Sequence, residues 1–537
     1  MSFGERARQA FRKLWDAPFL DWWLVALLAS AVYPTIFALS QNWYALSSAK
    51  IAWLIAVASI ALPLLAYAAV FLLCALLRLA SPEGTWPGNI EAALVAVLCS
   101  LFPFLLFGGA LLASLPNGTV IAGLFVMVAG GLAWLFLRGG QRYFSGVLIA
   151  LTLVAGLSWI VSFVSYQLSP LARQARAEGL DFSDAKLAVR PNIYFFIYDA
   201  YGSRDAYQKV HNFDNEKQYA ELEATGFKVI HTLSNYTATW PTTLSFFLGE
   251  HHYFDLDSGV DDSKFGRSIM AGLSYNPVLE TLRNNGYRIQ YIHHDDYFVK
   301  DQGVLDFTYP DVAAKSALAV FGNPFIDRMI GVAGAHAEKI DNDKQMKVLL
   351  ANIRPPSNET GRPWFTFSHV ALPAHSSSSR TWQELDDFSE SYKKRTIEAN
   401  AHMSTVVAAI KDRDPDAIIV LIGDHGGWRY RKVWGKGGDP NETMDLAGVD
   451  PALVTLDVFG IMIAIYSNGR CDSYVYPAIT PVNVMRLIFA CLSANPSLLQ
   501  SRAADISLMR PWKPNLWLTA REGKVLPRWE PFQKGRN

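Results

Sequence analysis

Hydrophobic and polar positions divide this chain into two stretches of different texture. Up to about residue 167, charges are confined to the ends and to short loops, and five apolar windows stand out, at roughly 20–40, 51–77, 92–114, 119–137 and 144–166. Each is near the ~20 residues a helix needs to cross a bilayer. Pro63 and Pro103 fall inside two of them, which membrane helices tolerate. A soluble core made of five consecutive apolar stretches of this size is the poorer reading. From about 190 onward the texture changes to short apolar runs separated by helical patterns such as Asp214 to Thr225, Asn276 to Asn285 and Asp386 to Lys411. That alternation predicts a doubly wound α/β layer architecture in one large domain.

The apolar runs of the second half are rich in β-branched and aromatic residues, as in PNIYFFIYDA (191–200), GYRIQYI (286–292), WFTFSH (364–369) and AIIVLIGDHGG (417–427). A strand apolar on both faces belongs in the middle of a parallel sheet covered by helices. Ligand sites in such sheets lie beyond the carboxyl ends of the strands. Two of the runs end abruptly there in acid, one at Asp199 and the other at the adjacent pair Asp424 and His425. Carboxylates and an imidazole so placed can hold zinc through mixed N and O ligands, or manganese or magnesium through mostly oxygen. A third segment, SNYTATWPTT (234–243), presents hydroxyls in a turn bearing Pro241. A threonine hydroxyl beside a metal is acidified and can attack. The bland alternative makes Asp199 and Asp424 turn or helix-cap residues, but Asp-His followed by Gly426-Gly427 is harder to dismiss in that way.

At these residues the chain resembles the alkaline phosphatase superfamily, in its sulfatase-like branch of membrane-bound phosphotransferases, across roughly 190–500. Asp199, and Asp424-His425-Gly426, match metal-ligand positions of that branch. The turn Thr239-Trp240-Pro241-Thr242-Thr243, with Gly249 eight residues after Pro241, is similar to the sulfatase nucleophile segment, with Thr239 in place of the cysteine and Thr243 in place of an arginine. Without that cysteine the resemblance implies no sulfatase. It implies instead the threonine nucleophile of phosphoethanolamine transferases and lipoteichoic acid synthases, with Thr239 also in the metal's coordination sphere. Thr237, Thr242 and Thr243 are rivals for that role, with capping of a following helix as their alternative. Asn235 is read as orienting the loop through an Asx-type bond.

Phosphoryl transfer also needs donors around the phosphoryl oxygens and an acid for the leaving group. His369 and His375 resemble a His-rich substrate segment of related membrane enzymes, although Pro373-Ala374-His375 departs from the Pro-His pair of many relatives. His293 and His294 match a region that contributes a substrate histidine in lipoteichoic acid synthases. These four, with Asn235, are the expected substrate-binding residues, structural histidines being the alternative reading. The resemblance implies one divalent ion, zinc or manganese with magnesium as an alternative. A second ion, more common in hydrolytic relatives, is the lesser expectation, and His369 and His375 would then serve as ligands.

Charge placement adds orientation. Arg6, Arg8, Arg12 and Lys13 precede the first apolar window, Arg78 follows the second, and Arg138 and Arg142 separate the fourth and fifth, whereas Lys50 stands alone in the opposite short loops. The positive-inside rule then makes the amino terminus cytoplasmic, and five spans export the second half. The expected organisation is a multi-span α-helical membrane domain (1–168), a juxtamembrane connector (169–190) and an exported domain (191–537) with a sulfatase-like sheet sandwiched by helices. Arg173 and Arg176 of the connector are candidates to meet lipid phosphates, a solvated linker helix being the equal alternative. The expected place is a bacterial inner membrane with the catalytic half in the periplasm or outside. Cys74 and Cys99 lie in apolar windows, so Cys471 and Cys491 are the one pair open to a disulfide in the exported half, two buried thiols being the alternative. A formal net charge of +0 gives no reason to propose nucleic acid as a partner.

The functional expectation is transfer of a phospholipid head group, phosphoethanolamine or phosphoglycerol, through a phospho-threonine to a glycolipid or cell-surface glycan. One alternative is a phosphodiesterase or phosphatase with water as acceptor. Another is a non-catalytic lipid sensor or scaffold, which the joint presence of Asp199, Thr239, Asp424 and His425 disfavours.

Overall fold

A computed structural model describes residues 22–42, 49–80, 89–100, 118–167, 182, 184–253, 276–293, 305–309, 342–375, 382–430, 439–510 and 516–533. Contacts divide the chain after Gln167 into two compact units. The first is helical, with helices Trp22–Asn42, Ala49–Ala80, Gly118–Leu137 and Gln141–Gln167 and a further helical run at 89–100. By length and composition, one of its described helices qualifies to cross a membrane, through Gln141–Ser158 with mean hydropathy 1.2. In the other helices the apolar stretches whose side chains are described, Trp22–Tyr33, Pro63–Leu77, Asn89–Ser100 and Phe125–Leu137, are shorter. Arg6, Arg8, Arg12, Lys13, Lys50's neighbouring loop at 43–48 and the connector residues Arg173 and Arg176 lie outside the described residues.

The second unit is a mixed α/β domain. Its main sheet has seven strands, β1 (Ile193–Tyr198), β2 (Lys228–Leu233), β3 (Arg288–Ile292), β4 (Phe307–Tyr309), β5 (Trp364–Val370), β6 (Ile418–Gly423) and β7 (Gly460–Tyr466). Their spatial order is β2-β7-β6-β1-β5-β3-β4. β1 sits at the centre, parallel to β5 and β6, with Phe195 opposite both Phe367 and Val420. The expected all-parallel arrangement holds from β6 to β4, but β7 runs antiparallel to both β6 and β2. A second sheet of three antiparallel strands, β8 (Ile506–Met509), β9 (Trp517–Arg521) and β10 (Lys524–Pro531), closes the chain.

Alternation along β1 explains why this sequence makes a covered sheet. Ile193, Phe195 and Ile197 enter one core with α1 (Thr239–Leu248), α2 (Pro277–Asn284) and α5 (Pro481–Leu492), through Phe246, Val278, Leu282 and Phe489. Tyr194, Phe196 and Tyr198 enter the other core with α3 (Trp382–Arg413), through Met403, Val406 and Ile410. Burying each such side chain contributes about 1.5–3 kcal/mol relative to exposure, so neither face of β1 can be left to water. α4 (Pro451–Phe459) leads directly into β7.

Helix ends follow local rules. Asn276 accepts from the Leu279 amide as the cap of α2, with Pro277 in its first turn. α1 stops at Gly249, whose φ of 65° is left-handed and whose Cβ would meet the Phe182 ring at 2.5 Å. Every residue of α5 is buried. Its one charge, Arg486, donates to the carbonyls of Leu498 and Gly249 and lies 4.9 Å from the Phe182 ring centroid. Cys471 and Cys491 are joined in a disulfide, which ties α5 to the segment after β7.

Candidate functional site

The carboxyl ends of β1, β5 and β6 are neighbours by virtue of the strand order, so the residues that follow them meet. Asp199 follows β1; its amide donates to Val370 at the end of β5, and its carbonyl accepts from Ala374. Asp424 and His425 follow β6. Asp424 is 1 % exposed, and its Oδ1 accepts from the amides of Ala200 and His425 at 2.9 and 3.0 Å. This fixes the carboxylate and leaves Oδ2 buried with no hydrogen bond among the described residues. His425 Nδ1 donates to the Gly426 carbonyl at 2.9 Å, which turns Nε2 the other way. Nε2 then lies 3.4 Å from Asp199 Oδ1, 3.6 Å from Asp424 Oδ2 and 3.3 Å from Thr239 Oγ1.

Two carboxylate oxygens and an imidazole lone pair converging this closely repel one another unless a positive charge joins them. The donor set fits a divalent cation. Ligand atoms of Asp199, His375 and His425 all fall within 4.8 Å of one another, as do those of Asp199, His369 and Asp424. Asp199 is common to both sets. His369 and His375, expected on the substrate side, therefore stand among the candidate ligands.

Thr239 is the first residue of α1, so its hydroxyl sits where the helix's positive dipole end meets the cluster. The rival threonines are placed differently. Thr242 donates from its hydroxyl to the Tyr236 carbonyl, Thr243 is 1 % exposed with no hydrogen bond from Oγ1 among the described residues, and Thr237 offers its carbonyl to Trp428 Nε1. Asn235 does not close an Asx turn in the loop: its amide donates to Thr480 Oγ1 and the Ile506 carbonyl, and its Oδ1 accepts from Val482 N. These bonds anchor the loop on the start of α5 and on β8. His293 is fully buried and accepts the His369 amide on Nδ1 at 3.0 Å, so it supports β5 from the neighbouring strand. His294 lies outside the described residues.

Three loops at this end hold non-glycine residues in the left-handed region, Ala200 at φ 61°, Ala374 at 56° and Trp428 at 65°. Each costs about 1–2 kcal/mol in an L-residue, so surrounding contacts must hold it. Trp428 packs against both histidines, its ring centroid 3.8 Å from that of His375 and 4.9 Å from that of His425.

Residues that sequence reasoning missed supply that support. Asp457 of α4 is fully buried; its two carboxylate oxygens accept from the amides of Arg429 and Tyr430 at 2.9 and 2.7 Å, pinning the turn behind Trp428. Burial raises its pKa to about 7. His211 Nε2 lies 3.6 Å from Asp457, and burial lowers its pKa to about 3. Gly426 has no room for a side chain, since a Cβ would meet the Asp457 carbonyl at 2.0 Å. Under α1, His252 Nε2 donates to the Pro241 carbonyl at 3.0 Å and stacks on Tyr236 at 4.3 Å. Burial lowers the His252 pKa to about 3, so it stays a neutral donor. Gly426 apart, nothing local in the sequence marks these residues, because their partners are distant in the chain.

No family model and no curated protein matches the chain. Among solved structures it is similar to the C-terminal periplasmic domain of EcEptC from Escherichia coli in complex with Zn, at 10% identity and a TM-score of 0.40, over 64% of this chain and 96% of that one. The lipoteichoic acid synthase LtaP from Listeria monocytogenes matches at 10% identity and 0.35, over 64% and 91%. A protein in the alkaline phosphatase superfamily from Vibrio parahaemolyticus matches at 10% identity and 0.36, over 68% and 90%. These values are low, and the chemistry of the site rests on its own geometry. In its motifs the chain resembles the sulfatase-like alkaline phosphatase superfamily, and the structures it is similar to include a member of that superfamily.

Proposed function

We propose that this protein is a metal-dependent enzyme that moves the phosphoryl head group of a membrane phospholipid through a covalent intermediate on Thr239. The observation that carries this reading is the 3.3 Å approach of Thr239 Oγ1 to His425 Nε2 within the Asp199 and Asp424 cluster. A divalent ion held by Asp199, Asp424 and His425, zinc or manganese, lowers the pKa of a bound hydroxyl and offsets phosphoryl charge. Thr239 Oγ forms a bond to phosphorus, the bond from phosphorus to the diacylglycerol oxygen breaks, and the threonine proton ends on that oxygen. In the second step an acceptor hydroxyl takes the phosphoryl group and its proton returns to Thr239. The amino end of α1 stabilises the phosphoryl oxygens through its dipole and amides.

Export and membrane attachment belong to the same proposal. The first unit exposes large apolar side chains along its helices, among them Leu65 at 67 % and Leu153 at 69 %, which suit lipid better than water. The Cys471–Cys491 disulfide suits an oxidising compartment. Donor lipid and a glycolipid or glycan acceptor would then meet the site at one bilayer face.

The two overlapping ligand sets favour a second reading, a hydrolase in which Asp199, His375 and His425 would hold one ion, His369 and Asp424 with Asp199 would hold another, and water would be the acceptor. The test is to incubate the purified full-length protein and divalent metal with phosphatidylethanolamine or phosphatidylglycerol, with and without lipid A or a glycolipid. Transfer predicts diacylglycerol together with a head-group-modified acceptor; hydrolysis predicts diacylglycerol and free phosphoethanolamine or glycerol phosphate. No diacylglycerol from either lipid contradicts both readings.

A further inference from the structure

At the opposite edge of the main sheet, where strands begin, the second unit carries a cleft of about 400 Å³ lined by Arg190, Arg283, Arg288 and Arg362, with Tyr287 and Asp306. Three of the arginines come from three adjacent strands: Arg190 lies just before β1, Arg362 just before β5, and Arg288 opens β3. Adjacent strands are about 4.8 Å apart, so three guanidinium-bearing chain segments enter one cleft within about 10 Å.

Of the described residues that line the cleft one is acidic, Asp306, and it is already engaged. Asp306 Oδ2 accepts from the Ile289 amide at 2.8 Å and pairs with Arg283 Nη2 at 3.3 Å. Arg190 Nη1 reaches the Asn285 carbonyl at 3.4 Å. The Arg288 guanidinium lies 5.4 Å from the Trp364 ring centroid, which orients it without neutralising it. Clustered positive charge of this kind repels itself unless an anion shares it. Arginine's planar fork matches paired oxygens, which chloride does not offer, and a phosphate's three or four oxygens can engage several such forks at once.

We propose that this cleft is a second anion site that binds a phosphate-bearing group, a mono- or diester, separate from the catalytic cluster. Arg288 and His293 are the two ends of one strand, about 17 Å apart at the rise of a β-strand, so an anion at the arginines does not reach the catalytic residues. Two sources share this chemistry: a soluble phosphate and the head group of an anionic lipid.

Hydrogen exchange on the full-length protein at about 0.15 M salt tests the proposal, read on peptides covering 283–290 and 360–364. One arm adds orthophosphate to detergent-solubilised protein; the other compares nanodiscs of phosphatidylglycerol and phosphatidylcholine with discs of phosphatidylcholine alone. Protection of these peptides by millimolar orthophosphate supports a soluble ligand. Protection seen only in the phosphatidylglycerol discs supports a lipid head group. Both effects should weaken at least tenfold in half-saturating concentration, or vanish, in an R190Q/R288Q/R362Q triple variant, whose three side chains are exposed. Should that variant not fold, Arg362→Gln alone should weaken binding about threefold or more, with an unchanged melting temperature. Absence of protection in both arms, equal protection in the neutral discs, or an effect that survives the substitutions would overturn the proposal.

Discussion

Strands β1, β3 and β5 each begin beside an arginine and end beside a candidate donor or its support: Arg190 and Asp199, Arg288 and His293, Arg362 and His369. The two ends of the same strands thus carry opposite electrical demands. At the carboxyl ends, carboxylates and imidazoles crowd within 4.8 Å and call for a cation. At the amino ends, guanidinium groups gather round a cleft and call for an anion. A sheet of five- to seven-residue strands separates the two by about 20 Å, beyond one Debye length in physiological salt, so each end can be built for its own ligand. The difference also shows in packing. The cation end is buried and cross-braced by Asp457, His211 and Trp428, as a reaction geometry requires, whereas the arginine end is open to solvent.

The sharpest way to break the comparison is to remove the residue shared by both donor sets. Asp199→Asn should lower turnover about 10³-fold, the scale of losing a main electrostatic stabiliser, and strip bound metal as read by elemental analysis after dialysis. The cleft triple variant should leave turnover of a water-soluble phosphodiester within about threefold; an equal loss there would erase the distinction between the ends. Next in size, Gly426→Ala forces a Cβ onto the Asp457 carbonyl and should cost about 3 kcal/mol of stability by overpacking, measured by denaturant melting.

Asp457→Asn tests whether the brace behind Trp428 matters to the site. An amide has one acceptor for the two backbone N–H groups of Arg429 and Tyr430, so about 1–3 kcal/mol should be lost together with a roughly tenfold drop in turnover. Full activity in that variant would show that the turn is held without it. The smallest expected effect is a pH dependence. His211 is depressed to about 3, so its neutral form contributes stability above the ordinary histidine range that is lost as pH falls toward 3. His211→Gln removes that slope: relative to the parent, its melting temperature should be highest near pH 4 and fall as pH rises to about 6.5. A pH-independent difference would place the histidine's charge outside the linkage.

Much of this was legible along the chain. The runs that became β1 and β6 are apolar on both faces and stop at acid, which is the signature of central strands with a site at their ends, and Asn276 and Pro277 announce α2 by local capping chemistry. The antiparallel sense of β7 was not legible, because a strand buried on both faces reads the same in either direction. Asp457 was hidden inside PALVTLDVF, an apolar helix whose one acid bonds amides 27 and 28 residues earlier. Asn235 and His293 showed their residue type but not their duty, which depends on segments 245 and 76 residues away. The last strands, β8 to β10, are tied to α4 by a hydrogen bond from Trp529 Nε1 to Thr455 Oγ1, a partner 74 residues away. Among the described residues of the first half, one helix is long and apolar enough to span a bilayer.

The measurement that tests the central claim most directly is intact-mass spectrometry of the full-length protein and of Thr239→Ala after incubation with divalent metal and phosphatidylethanolamine or phosphatidylglycerol. The account predicts an added mass of one head-group phosphoryl unit on the parent protein, mapped to Thr239, absent without metal and absent from the variant. An adduct that persists in Thr239→Ala, or diacylglycerol release by the parent that continues undiminished in the variant, would contradict it.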